Sequence, residues 1–534
     1  MKKNSVINIF FIKLVSKINS KNNKNIIKFD EFLKLGLELI KDKQFEKSVY
    51  YFQSAINFAE KKNIDAHINL INVYIILKNI DEALKISLLA YKINSTDSTI
   101  SKLYLYLLKR KGDQLIEKNS LIIAYEYFEK AIQINEQDIE SYKKLFFCLE
   151  RTFKLDLYKK YLIKAKNNSQ SPILSLYEAY YFIRKKQYQE ANKSLNQITK
   201  PDTIYSPDDL VFYYDLMFKS LEKLGKFGQA HYCIERRNFL KSQQPENINF
   251  DKNIILSVIK NYQDYFTFKN SKQFKKNSLF KNYINPTFLI GFPRSGTTLL
   301  DNILRSHSHI NVLEEKSFLS TIRDEFFQIN HNKLESIEGL NKNQIIILQK
   351  KYNQLIENDY GKNIFANKIV IDKFPLNIIE MGFIKKIFPD SKFIVALRHP
   401  CDVIVSCFTT NFKINEGMAN FYTLRDTANL YNRVFDLYTQ YKTIFADDIY
   451  ETKYENIINN FDTTINSLLE FLDVKWEDNL KAFNSNAKSR WINTPSYSQV
   501  IEPLYNSSIN RWKNYKEIEK AYPLLEKWIK EFNY

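Results

Sequence analysis

At 534 residues the chain is long enough for two or three domains; a 44% hydrophobic share with 15% aromatics supplies real cores, and only 10 glycines and 12 prolines argue against long disordered tracts. A net charge of +18 raises nucleic acid as a partner. The lysines, however, are scattered along the whole chain with Asn, Ile and Tyr, so no nucleic acid is expected. No apolar run reaches the length of a transmembrane helix. Cys148, Cys233, Cys401 and Cys407 show neither metal spacing nor disulfide density, which fits a reducing, cytoplasmic setting. The histidines lack a zinc pattern, His307 and His309 read as a loop pair, and no metal is expected. The first stretch, residues 1–29, is basic. Ile7–Val15 is apolar behind Lys2 and Lys3, but Lys13 interrupts it and no small-residue cleavage site follows, which disfavours a signal peptide.

Residues 30–240 read as helices with a recurring pattern: a small residue, an apolar one four later, a small one three after that. Ser48, Phe52 and Ala55 fit, as do Ala83, Ser87 and Ala90, then Ala124, Phe128 and Ala131. Tyr158, Leu162 and Ala165 depart at the first position, and Ala191, Leu195 and Ile198 at the last. A sixth copy opens with Ala230 and Ile234 and breaks at Arg237. The first positions step by 35, 41, 34, 33 and 39 residues, near the period of about 34 of a tetratricopeptide repeat. Leu35–Gly36 and Leu224–Gly225 are similar to the Leu-Gly pair of that family, and Tyr74 falls at its aromatic position. The resemblance implies a helical solenoid whose concave surface takes a peptide or protein partner; a plain helical bundle is the alternative. Residues 241–285 are polar and rich in Lys and Asn, with a helical patch at Ile254–Tyr265, and read as a linker.

From Pro286 to the end, residues 286–534, the pattern changes to alternating strands and helices. Thr287–Ile290, Ile310–Leu313, Lys368–Ile371 and Phe393–Leu397 are short apolar runs beside helical segments, which predicts a parallel sheet covered by helices. The fold class expected is therefore α + α/β. Active sites of such sheets gather at the carboxyl ends of the strands. Residues 287–304, TFLIGFPRSGTTLLDNIL, read as strand, tight loop and helix. Such a loop aims backbone N–H groups and the positive end of a helix dipole at one spot, suited to phosphate or sulfate. Arg294 adds a fixed charge, and Thr297 and Thr298 add hydroxyl donors. Gly291 and Gly296 keep the glycine spacing of a Walker A loop, but Thr297 stands where that loop has its Lys, which speaks against nucleotide hydrolysis.

The string PRSGTT resembles the 5′-phosphosulfate loop of sulfotransferases, which use 3′-phosphoadenosine-5′-phosphosulfate (PAPS). Further segments carry the same resemblance. In KFIVALRHPCDVIVSCF, residues 392–408, Arg398 ends a strand and Ser406 lies two turns into a helix opened by Pro400. This is similar to the family's RxPxDxxxS segment, which implies that Arg398 and Ser406 hold the 3′-phosphate; His399 departs from the usual Asp. In NKIVIDKFP, residues 367–375, Asp372 could pass for a Walker B carboxylate. The following Lys373-Phe374-Pro375 resembles the DKxP segment of bacterial repeat-containing sulfotransferases, which places Lys373 near the bridging oxygen. A fixed ammonium there stabilises charge growing on the departing phosphate. An attacking hydroxyl needs a base. Glu314-Glu315 resembles the acidic pair of protein-tyrosine sulfotransferases, whose second Glu serves, and this implies Glu315. Tyr454-Glu455 is similar to the family's YExL segment. TPSYSQVIEPLYNSSINRW, residues 494–512, is similar to its late nucleotide-contacting segment through Ser496, Gln499, Arg511 and Trp512.

The whole resemblance is to tetratricopeptide-repeat-containing sulfotransferases. It implies transfer of a sulfuryl group from PAPS to an acceptor hydroxyl, of a protein tyrosine or a carbohydrate, without a metal. Arg294, Ser295, Gly296, Thr297 and Thr298 would hold the 5′ end, and Lys373 and Ser496 would sit at the leaving group. Tyr454, Gln499 and Arg511 would touch the nucleotide, with Glu315 as base. A non-catalytic scaffold with a degenerate nucleotide domain, and a P-loop kinase or ATPase, are the other classes.

Overall fold

The computed structural model describes residues 24–59, 64–266, 285–331, 334–366, 368–484, 506 and 508–534. It divides into two compact units, Met1–Tyr181 and Phe182–Tyr534.

In the first unit, helices pack in consecutive pairs, beginning with Lys24–Lys41 against Phe45–Phe58 and continuing through Ser98–Glu117 against Leu121–Ile134. Small residues in one helix admit rings from the next. An added Cβ on Gly36 would stand 2.7 Å from the Phe52 ring, and one on Gly112 2.5 Å from the Phe128 ring. Ser48, Phe52, Ala55, Ala83, Ala90, Ala124, Phe128 and Ala131 are fully buried, so the repeating positions are the packing positions. Each tight turn between paired helices is closed by one left-handed residue. Lys43, Lys78, Asn119 and Phe153 have φ of 57°, 58°, 62° and 57°, and in the second unit Lys186 has 59° and Gly225 73°. These turns recur at the same steps as the repeat.

The second unit opens with further helices of this kind, among them Pro207–Lys223 and Phe227–Ser242. The helix Asn253–Tyr265 follows, and it is built into the α/β part. Tyr262 donates to Glu380 at 2.7 Å, and buried Phe266 lies over Gly382 so closely that a Cβ there would meet its ring at 2.3 Å.

The sheet contains β1 (Thr287–Gly291), β2 (Ile310–Leu313), β3 (Ile369–Lys373), β4 (Phe393–Leu397) and β5 (Ile449–Lys453) in the order β2-β3-β1-β4-β5, with every pairing parallel. β3 runs to Lys373, two residues beyond its apolar run, because Lys373 pairs with Leu289. β5, IYETK, is half-polar: Tyr450 packs on the core beneath the helix Phe461–Leu472, while Glu451 on the opposite face accepts from Tyr438 and Lys442 of the helix Leu424–Phe445. Leu289, Ile371 and Ile394 pack under the helices Thr297–Arg305 and Phe461–Leu472 through Leu300, Ile303, Leu304, Leu468 and Leu469. Phe288, the next residue along β1, turns the other way, onto Phe388 and Phe393. All four cysteines are free and buried. Among the described residues no helix is long and apolar enough to cross a membrane.

Candidate active site

Because all five strands run parallel, their carboxyl ends share one edge. The residues following each strand converge there: the loop Phe292–Gly296 after β1, Glu314 and Glu315 after β2, Lys373 closing β3, Arg398 after β4 and Tyr454 after β5.

The loop is shaped by three unusual backbones. Gly291 has φ of +151°, and a Cβ there would stand 2.6 Å from the Ala396 carbonyl oxygen in β4. Gly296, at φ +100°, lies under the Tyr454 ring, with 3.0 Å left for a Cβ. Arg294 holds φ of 72°, a conformation that costs a side-chain-bearing residue energy and concentrates at functional sites. Gly296 provides no side-chain cap to the helix Thr297–Arg305, so the N–H groups of its first turn keep no partner from a capping side chain. Ser295, Thr297 and Thr298 are buried at this point.

Arg294 Nε donates to Ser406 Oγ at 3.0 Å. Ser406 stands in the helix Pro400–Thr409 and is itself buried. Arg398 donates through Nη1 to the Arg294 carbonyl at 3.1 Å and through Nη2 to the Ser508 carbonyl, and its guanidinium lies 4.9 Å from the centre of the Tyr454 ring. Ser295 Oγ and Arg398 Nε are buried with no hydrogen-bond partner among the described residues. Two donors without acceptors at the head of a helix fit an anion.

Lys373 is fully buried. Its Nζ lies 2.8 Å from Glu315 Oε1 and 3.8 Å from Asp301 Oδ2, while the Glu315 side chain remains 35% exposed. A buried ammonium and a solvent-reachable carboxylate therefore meet beside the loop. Asp372 points elsewhere: Tyr352 donates to its Oδ2 at 2.6 Å, and burial pushes its carboxyl up to about 6. The Glu314 backbone N–H donates to the Tyr360 hydroxyl at 3.1 Å.

His399, the departure from the family pattern, caps the helix Pro400–Thr409. Its Nδ1 accepts the Cys401 N–H at 3.2 Å, and its ring stacks on Trp512 at 5.3 Å. Burial lowers its pKa, which keeps the imidazole neutral and able to accept. Asp402 accepts the backbone N–H groups of Asn510 at 2.8 Å and Trp512 at 2.9 Å. Arg511 is held by Glu222 and donates to Thr409 Oγ1 at 3.1 Å. Ser496 and Gln499 lie outside the described residues.

His307, His309 and Glu477 present potential ligand atoms within 4.8 Å of one another. Each is already engaged. His307 Nδ1 accepts the His309 N–H at 3.0 Å, its Nε2 contacts the Lys475 carbonyl at 2.7 Å, and Glu477 accepts from Ser308. The cluster reads as the tie between two loops.

The model of the sulfotransferase family matches residues 286–478, the span that contains the loop, Glu315, Lys373, Arg398 and Ser406. Over that span the α/β part is similar to the sulfotransferase family. An uncharacterised protein of Aquifex aeolicus (strain VF5) is 27% identical over 307 residues, covering 57% of this chain and 39% of that protein. Protein-tyrosine sulfotransferase 2 of Gallus gallus is 22% identical over 234 residues, covering 42% of this chain and 62% of the relative. The chain thus spans less than two thirds of either relative's length. The sulfotransferase domain of the Synechococcus PCC 7002 olefin synthase matches with 20% identity and a TM-score of 0.35, over 47% of this chain and 98% of that one. The sequence motifs missed Asp301, beside Lys373, and Arg237, to which only the broken sixth repeat pointed.

Proposed function

We propose that this chain is a sulfotransferase that moves a sulfuryl group from PAPS to an acceptor hydroxyl. One observation carries the reading: the loop, Arg294 with Ser406, Arg398, and the Lys373–Glu315 pair converge at one sheet edge, inside a span that matches the sulfotransferase family.

When bound, PAPS supplies the sulfuryl group. Arg294, Ser295, Gly296, Thr297 and Thr298 hold its 5′ end through backbone N–H groups, hydroxyls and one guanidinium. Arg398 and Ser406 would hold the 3′-phosphate, and Tyr454, Arg511 and, by the resemblance, Gln499 would contact the nucleotide. Lys373 Nζ, and by the resemblance Ser496, would hold the oxygen that gains charge as the sulfur–oxygen bond breaks, where a preorganised cation favours the transition state. Glu315 takes the acceptor's hydroxyl proton. In this reading the Lys373–Glu315 contact opens during the reaction, since each group turns to a different substrate. Protein cations replace a metal. The acceptor class we favour is a protein tyrosine, in keeping with the similarity to protein-tyrosine sulfotransferase 2; a carbohydrate hydroxyl is the other acceptor this chemistry permits. The helical repeats present that protein acceptor or an assembly partner.

The test is a pair of calorimetric titrations. The 3′-phosphate contacts should make the desulfated product PAP bind tighter than AMP by roughly 2–4 kcal/mol. Equal affinities would reject the roles given to Arg398 and Ser406.

A further inference from the structure

The sixth repeat breaks where a small residue is expected and Arg237 stands instead. In the structure that arginine is 1% exposed. Its guanidinium does not pack into a neighbouring repeat. It reaches the last turn of the helix Pro400–Thr409, donating through Nη1 to the Thr409 carbonyl at 3.0 Å and through Nη2 to those of Phe408 at 3.2 Å and Thr410 at 3.4 Å. Asp215 fixes the fork from behind at 2.7 Å, and Asn238 accepts from Nε and Nη2 at 3.1 and 2.8 Å. Asn238 Nδ2 adds bonds to the Phe408 and Tyr422 carbonyls, both at 3.2 Å.

The final carbonyls of any helix lack partners within it, and a cation there complements the negative end of the dipole. Here the cap comes from a different element, the helix Phe227–Ser242. Ser406 sits in the same last turn: its own carbonyl accepts from Thr410 Oγ1 at 2.6 Å, and its hydroxyl receives Arg294 at 3.0 Å. Glu222, on the helix Pro207–Lys223, reaches the same turn indirectly, by holding the Arg511 that donates to Thr409 Oγ1. Where Arg237 and Asn238 hold this turn therefore sets where the Ser406 hydroxyl stands relative to Arg294.

We infer that Arg237 and Asn238 are positioning residues for the proposed 3′-phosphate site, so that the last repeat-like helix pair is a working part of the transferase rather than of the partner-binding array. The inference rests on the nucleotide reading above. It is tested in the full chain with Arg237→Lys, which keeps the charge and loses the fork, and Asn238→Ala. Affinity for adenosine 3′,5′-bisphosphate and for AMP is measured on each. Both variants should lose about tenfold in preference for the bisphosphate, the worth of one charge-assisted hydrogen bond, with AMP binding nearly unchanged. A merely structural role would weaken both ligands together or neither, and either pattern overturns the inference. If Arg237→Lys fails to fold, Asn238→Ala decides. A wild-type chain with no preference for the bisphosphate overturns the nucleotide reading itself, and the inference falls with it. A wild-type preference that survives in the variants overturns the inference alone.

Discussion

At the scale of single residues, the pairing of Lys373 with Glu315 sets the sharpest expectation. Glu315→Gln keeps size and hydrogen bonding but cannot take a proton. If Glu315 is the base, the variant should bind PAP normally and lose roughly 100-fold or more in single-turnover rate, while Glu314→Gln does far less. A near-normal rate in Glu315→Gln would remove it from the role. Asp372 makes a second expectation, about stability. Burial raises its folded pKa from 3.8 to about 6. The protonated form is therefore favoured in the folded state; its contribution is fully present below the unfolded value and is lost as pH rises through about 6. Asp372→Asn mimics that neutral form, so it should leave the unfolding free energy at pH 4 little changed and raise it at pH 8, by up to roughly 3 kcal/mol. A denaturant titration at both pH values checks it; no gain at pH 8 would mean that the ionised carboxylate is well accommodated. The resemblance to sulfotransferases singled out Arg294, Glu315, Lys373, Arg398 and Ser406, and the fold brings these residues to one sheet edge. The contact between Glu315 and Lys373 was not legible in the sequence, since they are far apart in the chain and meet only when β2 and β3 pair.

At the scale of elements, the loop depends on β1 passing tightly beside β4. Gly291→Ala asks a side chain to adopt φ of +151° with its Cβ 2.6 Å from a backbone oxygen. The conformation alone costs on the order of 1–3 kcal/mol, and the clash moves β1 or β4. The variant should melt earlier and bind PAP weakly, whereas Gly339→Ala, where a Cβ meets nothing nearer than 3.7 Å, should do neither. Equal melting of the two variants would contradict the close approach. The buried strands could be read from the chain because a strand covered on both faces is a continuous apolar run. β5 could not: IYETK alternates too weakly to stand out from a loop. The repeat helices were legible through their buried small residues, which must recur wherever backbones approach closely. Arg237 registered only as a break in that pattern, for the groups it reaches in the helix Pro400–Thr409 are backbone carbonyls, which carry no side-chain signature.

At the scale of the molecule, the repeat periodicity runs on through the point where the compact units divide, at Tyr181 and Phe182. A chain beginning at Pro286 would lack Arg237 on the carbonyls of residues 408–410, Tyr262 on Glu380 and Phe266 over Gly382. It should melt lower than a chain beginning at Phe182 and gain less stability from saturating PAP. Thermal melts of both chains with and without PAP decide the matter, and matching curves would make the preceding helices dispensable. The buried cysteines have a practical consequence. Burial pushes the thiols of Cys148 and Cys401 up to about 12 and that of Cys233 to about 11, and it raises Cys407 as well. Thiolates are the reactive form, so the native chain should react little with maleimides at neutral pH, which a labelling time course checks. A single cysteine introduced at an exposed position such as Tyr50 would be the one addressable handle, and a fluorophore could report on repeat-surface binding without first stripping out the native sulfurs.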